Sequence, residues 1–154
     1  MGYPMRLKRL SVIPEKCSGC RICELLCSMV LLKDAFSPRK ALLRIGIRET
    51  PDTDPSVTMA ADTPAICLQC APAPCAESCP AEAFVWDASQ SIWIIDENAC
   101  TGCGACVQEC PYGVIGLYND NAVKCDLCKG DPVCVRFCPT GALIFCEQGD
   151  EQPC

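Results

Sequence analysis

The chain has 154 residues, a length typical of one domain or two small ones, and 18 of these residues are cysteine. Its formal charge is −6 and its pI is near 4.6, values that argue against a nucleic-acid partner. It contains no histidine, which excludes haem or Rieske ligation by histidine, His-containing zinc sites and imidazole general bases.

A high cysteine content is typical of small secreted disulfide scaffolds. Here the N-terminal segment MGYPMRLKRL has basic residues but no apolar run after them, so it does not resemble a secretory signal. The cysteines are also too crowded to pair with distant partners. The longest apolar run, LLCSMVLL at 25–32, falls short of the ~18–20 residues that cross a bilayer. These features predict a cytoplasmic protein without direct membrane insertion.

In chain order, LKRLSVIP at 7–14 predicts a short strand leading into the first cysteine group. The linker 33–66 contains ALLRIGIRE at 41–49, which alternates like a strand, and ETPDTDPS at 49–56, a turn-rich loop. SIWIIDEN at 91–98 predicts a second strand before the third group. Cys27 is followed by Ser28, so the helix that carries it can continue through SMVLLKDAF, and its apolar surplus suggests a subunit interface.

Sixteen cysteines form a fourfold repeat, in which three closely spaced cysteines are followed, after three more residues, by a fourth. The last three groups share a proline after the fourth cysteine and then a tail of small and apolar residues (PAEAFVW, PYGVIGL and PTGALIF). The groups are Cys17, Cys20, Cys23 and Cys27; Cys67, Cys70, Cys75 and Cys79; Cys100, Cys103, Cys106 and Cys110; and Cys125, Cys128, Cys134 and Cys138.

The spacing C-x2-C-x2-C-x3-C-P is that of bacterial ferredoxins, in which the last cysteine ligates the other cluster of a pair. Four motifs then predict two pairs and four [4Fe–4S] clusters, with sixteen thiolates supplying four ligands each. Groups two and four lengthen the middle spacing, with APAP and KGDPV, which loops can absorb. Zinc is the main alternative, but zinc ribbons have no use for a third cysteine in each loop. A disulfide framework is the other.

The chain resembles the four-cluster ferredoxin-type subunits of dimethyl sulfoxide reductase, formate dehydrogenase, nitrate reductase and related molybdenum or tungsten enzymes. The small subunit of a tungsten aldehyde oxidoreductase is one member that it could correspond to. The resemblance runs from Lys16 to about Phe145 and is carried by CxQCxxxPCxxxCP at 67–80, CPYG at 110–113 and KCDLC at 124–128.

This resemblance implies an α+β fold of two ferredoxin-like modules, one inserted in the other. The outer module would comprise 1–60 and 117–154, with the linker 33–60, and the inner module 61–116. The implied ligand sets are Cys17, Cys20, Cys23 and Cys138 for cluster 1; Cys27, Cys125, Cys128 and Cys134 for cluster 2; Cys67, Cys70, Cys75 and Cys110 for cluster 3; and Cys79, Cys100, Cys103 and Cys106 for cluster 4.

A cluster with four protein thiolates has no open position for substrate, and the chain lacks a P-loop, a GxGxxG fingerprint and a nucleophile–base constellation. We therefore expect an electron-transfer subunit that is not an enzyme by itself. Its expected partners are a catalytic subunit, a Mo/W-pterin aldehyde or formate oxidoreductase by analogy, and an electron-accepting subunit or carrier. The alternatives are a free polyferredoxin that serves several enzymes and a structural zinc module. Higher-order assembly is permitted.

Four cations lie beside expected ligands and either stabilise reduced clusters or are ordinary surface residues: Arg21, Lys124, Lys129 and Arg136. Two cysteines fall outside the repeat. Cys146 is expected to be a packing thiol in a strand and Cys154 a terminal thiol.

Overall fold

The computed structural model describes residues 8–33, 36–45 and 64–147. The predicted mixture of short strands and helices is confirmed in these ranges. The strands are β1 Lys8–Val12, β2 Phe84–Asp87, β3 Ile92–Ile95, β4 Gly116–Tyr118, β5 Asn121–Val123 and β6 Leu143–Glu147. The helices are α1 Ile22–Leu32, α2 Pro74–Glu77, α3 Ala105–Glu109 and α4 Val133–Arg136, and the 3-10 turns are Pro14–Lys16, Pro38–Lys40 and Leu127–Gly130.

The strands of the described ranges form three antiparallel pairs, β1–β6, β2–β3 and β4–β5. The pairs β2–β3 and β4–β5 are local hairpins, whereas β1–β6 joins opposite ends of the described chain. In that pair Leu10 lies opposite Phe145. This pairing brings the sequence before the first cysteine group against the sequence after the last group.

Two groups of buried side chains form the core. The first takes its cysteines from groups one and four and includes Leu10, Leu43, Leu127 and Leu143. The second takes its cysteines from groups two and three and includes Ile115 and Ala122. Helix packing follows the same division, because α1 packs against α4 and α2 packs against α3. Ile66 and Ile92 belong to the first core although they lie in the middle of the sequence.

The two strands predicted before cysteine groups are confirmed as β1 and β3. The strand predicted over ALLRIGIRE is wrong in its described part, where Arg44 makes only an isolated bridge with Ala65. Ala41, Leu42 and Leu43 are all buried, so the side chains do not alternate between core and solvent as they would in a surface strand. The rest of this stretch and the loop ETPDTDPS lie outside the described residues.

Helix α1 continues beyond Cys27, as expected from the serine that follows it, but ends at Leu32. The Ser28 hydroxyl donates to the carbonyl of Leu25 at 2.7 Å, which satisfies this buried side chain inside the helix. Lys33 then leaves helical geometry with φ 56°, before the end that the apolar pattern predicts. None of the helices in the described ranges is long and apolar enough to cross a membrane.

Candidate metal centres

Each cysteine loop turns through a left-handed residue immediately before its second cysteine. These residues are Gly19, Gln69, Gly102 and Leu127, with φ of 65°, 51°, 66° and 57°. Glycine adopts this conformation without steric cost, which explains groups one and three. Gln69 and Leu127 adopt it at a cost of about 1 kcal/mol or more, and both are buried, with 2% and 0% of their surface exposed. Packing of Leu127 in the first core and the hydrogen bonds of the Gln69 amide to Cys125 and Lys124 act against this strain.

The third cysteine of every group lies on a short helix that begins after the loop. Cys23 lies on α1, Cys75 on α2, Cys106 on α3 and Cys134 on α4, and all four are buried. The paired packing of α1 with α4 and of α2 with α3 therefore brings cysteines of different groups together.

A second turn follows the fourth cysteine in the three groups that have the Cys-Pro pair. The backbone N–H of Glu82 donates to the carbonyl of Cys79 at 3.2 Å, and Gly141 does the same to Cys138 at 3.2 Å. The third turn has the same bond, from Gly113 to the carbonyl of residue 110, at 3.1 Å. The residue at the end of each turn has a positive φ, of 49°, 64° and 60° respectively. The turn reverses the chain directly after the cysteine.

The turns also aim backbone N–H groups at sulfur. The N–H of Ala83 donates to Sγ of Cys79 at 3.4 Å. Burial acts to raise the pKa of Cys138, but hydrogen bonds from the N–H of Leu143, from the Thr140 hydroxyl and from the N–H of Ala142 outweigh it and lower the pKa. Such hydrogen bonds to sulfur stabilise a thiolate and raise the potential of a bound iron–sulfur centre.

Two other thiols receive the same kind of bond from outside their own turns. Cys27, which lacks the following proline, accepts the N–H of Leu42 at 3.3 Å, and Cys100 accepts the N–H of Ala122 at 3.4 Å.

Two cavities show which cysteines lie together. The first is lined by Cys17, Cys20 and Cys23 from group one together with Cys138 from group four. Ile45 and Leu143 complete an apolar wall. The fourth cysteine of the last group therefore shares a space with the loop of the first.

The second cavity follows the same rule with groups two and three. It is lined by Cys67, Cys70 and Cys75 from group two together with Cys110 from group three. Lys124 is the charged residue in its wall.

Electrostatic interactions show two further approaches between cysteines of different groups. Burial raises the pKa of Cys27, and the nearby Cys128 raises it further. Burial likewise raises the pKa of Cys106. Among the neighbouring thiols, Cys79 of group two raises this pKa more than Cys100 of its own group does. Each of these thiols therefore lies beside a cysteine of the partner group.

One interaction links the two halves of the arrangement. Burial raises the pKa of Cys125 well above its usual value, and the largest further contribution comes from Cys67. Cys125 belongs to the set near the first core and Cys67 lines the second cavity, so these two sets are neighbours.

The chemistry of the donor set fits iron–sulfur clusters. Burial raises the pKa of Cys23 and Cys134 to about 12 and that of Cys75 to about 11. Such clustered, buried thiols lose their protons only to a strongly positive group, as metal binding provides. Each of the two cavities is lined by four cysteines, which is the number of ligands that a [4Fe–4S] cluster requires.

The cysteines outside the repeat differ from expectation in one case. The sixteen repeat cysteines are free thiols, but Cys146, which is buried in β6, is disulfide-bonded. The prediction that Cys146 is buried in a strand is therefore confirmed, whereas the prediction that it is a thiol is wrong. Cys154 lies outside the described residues.

Of the four cations singled out in the sequence, the structure buries Lys124 alone. Arg21, Lys129 and Arg136 are exposed, and Arg136 pairs with Asp131 at 2.6 Å. The ammonium of Lys124 donates to three oxygens, those of the Gln69 amide, the Trp93 carbonyl at 2.9 Å and the Cys125 carbonyl at 3.5 Å. Gln69 was not predicted to be a functional residue, although it is the Q of CxQCxxxPCxxxCP and stands where two of the other three loops have glycine.

Comparison with known proteins gives consistent findings. A family model described as "4Fe-4S dicluster domain" matches residues 58–148, which hold groups two to four. A polyferredoxin-like subunit of aliphatic sulfonate oxidoreductase from Pyrococcus furiosus is 35% identical over 133 residues, covering 82% of this chain and 69% of the relative. A putative electron transport protein of Escherichia coli, YsaA, is 34% identical over 139 residues, covering 83% and 82%.

Among solved structures, the benzoyl coenzyme A reductase active-site complex BamBC has a chain that aligns with a TM-score of 0.49 and 21% identity. The alignment covers 97% of this chain and 84% of that one.

Proposed function

Because the chain belongs to the family of the 4Fe-4S dicluster domain, we propose that it relays single electrons through four [4Fe–4S] clusters. It is a ferredoxin-type electron-transfer protein and not a catalyst by itself, as its relatives are electron-transport and polyferredoxin-like subunits. The relay would connect a catalytic oxidoreductase subunit with an electron acceptor.

One observation carries the proposal most directly: the fourth cysteine of a group lies with the first three of another group. Cys138 shares a cavity with the loop of group one, and Cys110 shares one with the loop of group two. The same crosswise rule, applied to the interactions of Cys27 and Cys79, gives the other two sets. The proposed ligand sets are therefore the four stated from the sequence, within an outer module (1–60 and 117–154) and an inner one (61–116).

When bound, each cluster exchanges one electron at a potential set by its surroundings. The protein's residues bind and surround it. Four thiolates per set leave no position for substrate, the apolar wall formed by residues such as Ile45 and Leu143 limits water, and backbone N–H groups such as that of Ala83 donate to ligand sulfur. These are the requirements of electron transfer and not of substrate chemistry.

The neighbouring positions of Cys67 and Cys125 support the order 1–2–3–4 for the proposed clusters. Cluster 1 includes the exposed Cys20 and cluster 4 the exposed Cys103, whereas the ligands of clusters 2 and 3 are buried or half-buried. Electrons would enter and leave through the two outer clusters.

The catalytic partner is proposed by analogy with the family that the cysteine motifs resemble. We propose a Mo/W-pterin enzyme as the catalytic subunit, in a cytoplasmic complex. A free polyferredoxin is the second candidate, and size-exclusion chromatography under anaerobic conditions separates the two: a subunit elutes with its partner and a free carrier elutes alone.

The ligand sets can be tested with paired alanine variants of the anaerobically purified protein. Crosswise ligation predicts that Cys20→Ala and Cys138→Ala alter the same cluster, so the double variant has one altered centre. Combining Cys138→Ala with Cys134→Ala alters two. Iron content per chain, expected at about sixteen for the unaltered protein, and quantified electron paramagnetic resonance spectra give the result.

Ligation within each group predicts the reverse. In that case Cys134→Ala and Cys138→Ala would alter one common centre, and Cys20→Ala with Cys138→Ala would alter two. A colourless protein that contains zinc and no iron would overturn the whole proposal.

A further inference from the structure

Lys124 is a buried cation without a carboxylate partner. Only 8% of its surface is exposed, and no acidic side chain of the described ranges forms an ion pair with it. Its ammonium contacts the amide oxygen of Gln69 and the carbonyl oxygens of Trp93 and Cys125. Burying an ammonium against neutral oxygens alone is unfavourable, because they do not replace its hydration or balance its charge. A negative charge nearby is required to make this position favourable.

The nearest candidates for that charge are the thiols of one set. Lys124 lies in the wall of the cavity lined by Cys67, Cys70, Cys75 and Cys110. Its positive charge acts to lower the pKa of Cys70 and of Cys75, although burial outweighs it at both.

Gln69 fixes the ammonium at this position. Its amide oxygen accepts from Lys124, and its amide nitrogen donates to the carbonyl of Cys125 at 2.9 Å. The side chain is 2% exposed and its backbone is left-handed with φ 51°. Gln69 thus connects the second cysteine loop with the fourth one at the point where the sets of Cys67 and Cys125 adjoin.

We propose that Lys124, held by Gln69, is the fixed counter-charge of the cluster bound by Cys67, Cys70, Cys75 and Cys110, and that it makes this cluster easier to reduce than it would otherwise be. The inference rests on the proposed function, because it takes those four cysteines as ligands. An added electron increases the negative charge of the cluster, so a buried cation in the cavity wall stabilises the reduced state. The electron itself comes from a neighbouring cluster.

The effect belongs to Lys124 and not to the other cations beside ligands. Arg21 and Lys129 are exposed, where water and salt screen their charges. Arg136 is exposed and is neutralised by Asp131. A buried charge is screened much less, so removing it should change one midpoint potential far more than removing an exposed one.

The test uses the holo protein in an anaerobic redox titration followed by electron paramagnetic resonance. Lys124→Met removes the charge and keeps the chain length, and Lys129→Met, beside the ligand Cys128, is the matched exposed control. For Lys124→Met we expect one cluster to show at least a tenfold lower ratio of reduced to oxidised form at a given potential, about 59 mV for one electron. For Lys129→Met we expect less than a threefold change, and Lys124→Arg should keep the original ratio.

Gln69→Glu gives a second test that leaves Lys124 in place. A carboxylate there would neutralise the ammonium, so the same cluster should again become harder to reduce. Equal shifts in Lys124→Met and Lys129→Met, or no shift in an iron-replete Lys124→Met and Gln69→Glu, would overturn the inference. Loss of one cluster from both Lys124→Met and Gln69→Glu would also overturn the inference, since it would show that Lys124 and Gln69 are needed to hold the cluster in place. If the unaltered protein lacks iron, the proposed function fails instead.

Discussion

Glu82 occupies a position at which the two equivalent residues of the repeat are Gly113 and Gly141. All three have a positive φ at the end of the turn that follows a Cys-Pro pair, but only Glu82 carries a side chain. Its side chain is exposed and makes no hydrogen bond or ion pair with the residues that the structure describes. Within those ranges, no contact of the side chain offsets the strain of its backbone.

Glu82→Gly should stabilise the holo protein by about 0.5 to 1 kcal/mol, because relief of the left-handed strain exceeds the greater entropy of glycine in the unfolded chain. The rate at which visible absorbance disappears in denaturant under anaerobic conditions measures this, and it should fall about two- to fivefold.

Gly141→Ala is the matched change in the opposite direction. A methyl group at Gly141 would meet no atom within 4 Å, so its effect comes from the backbone alone. The variant should lose its absorbance faster than the unaltered protein. The same rate for both variants would show that left-handed strain does not limit these turns.

The sixteen cysteines and their division into groups could be predicted from spacing, because ligand spacing is a local property of the sequence. The buried position of Lys124 could not. A lysine beside a ligand is normally a surface residue, and only the approach of the second loop, through Gln69, removes it from water. For the same reason spacing could not predict that Gln69 and Leu127 take the left-handed conformation that glycine takes in the other two loops.

At the scale of elements, the third cysteine loop and the β4–β5 hairpin are in direct contact. A methyl group at Gly102 would meet the backbone carbonyl oxygen of Asp120 in the hairpin turn. The N–H of Ala122 in β5 donates to Sγ of Cys100, at the start of the same loop. The hairpin therefore covers this cysteine loop and helps to hold its sulfurs in place.

Gly102→Ala should destabilise the protein by about 2 to 4 kcal/mol, since the added methyl group combines backbone strain at φ 66° with a clash against backbone that cannot move aside. We expect the variant to contain about twelve irons per chain instead of sixteen, through loss of the cluster that Cys100 and Cys103 would bind. Iron analysis after anaerobic purification gives the number.

Gly113→Ala is the control for this change. Its φ is similar, at 60°, but a methyl group there would meet nothing within 4 Å, so it should cost only about 1 kcal/mol and keep all its iron. Equal iron loss in both variants would mean that the contact with the hairpin is unimportant.

The strands before the cysteine groups could be predicted from composition, whereas the described part of ALLRIGIRE, residues 41–45, is not a strand. In β3 apolar side chains pack on a hairpin partner, but Leu42 and Leu43 are consecutive and both buried, which is compatible with a loop inside the core. Ala122 of the β4–β5 hairpin packs in the second core, with cysteines of groups two and three, although it follows the proposed module boundary at 116/117. Local patterns do not show which core a short hairpin joins.

At the scale of the whole molecule, charge governs encounters with other redox molecules. The formal charge is −6, and sixteen thiolates with four clusters of charge about +2 would bring it to about −14. Such a field attracts cationic partners and repels anionic ones.

Raising the ionic strength from about 0.01 M to 1 M shortens the screening length from about 30 Å to about 3 Å. The rate of reduction by a cationic donor such as reduced methyl viologen should then fall, and reduction by anionic dithionite should accelerate, each by about tenfold. Stopped-flow absorbance measures both rates. Salt dependence of the same sign for the two donors would contradict this expectation.

The pairing of β1 with β6 has a consequence for biogenesis. A chain leaving the ribosome has the second core complete once β5 has emerged, and with it all the cysteines of groups two and three, which are proposed to bind clusters 3 and 4. The first core cannot form until β6 has been synthesised, because Leu143 of that strand belongs to it. Until then Leu10 and its neighbours remain exposed to solvent. Nascent chains would therefore bind metal first at the cysteines of the middle groups, and their two ends would pair last. A cell short of iron would accumulate partly folded, aggregation-prone intermediates.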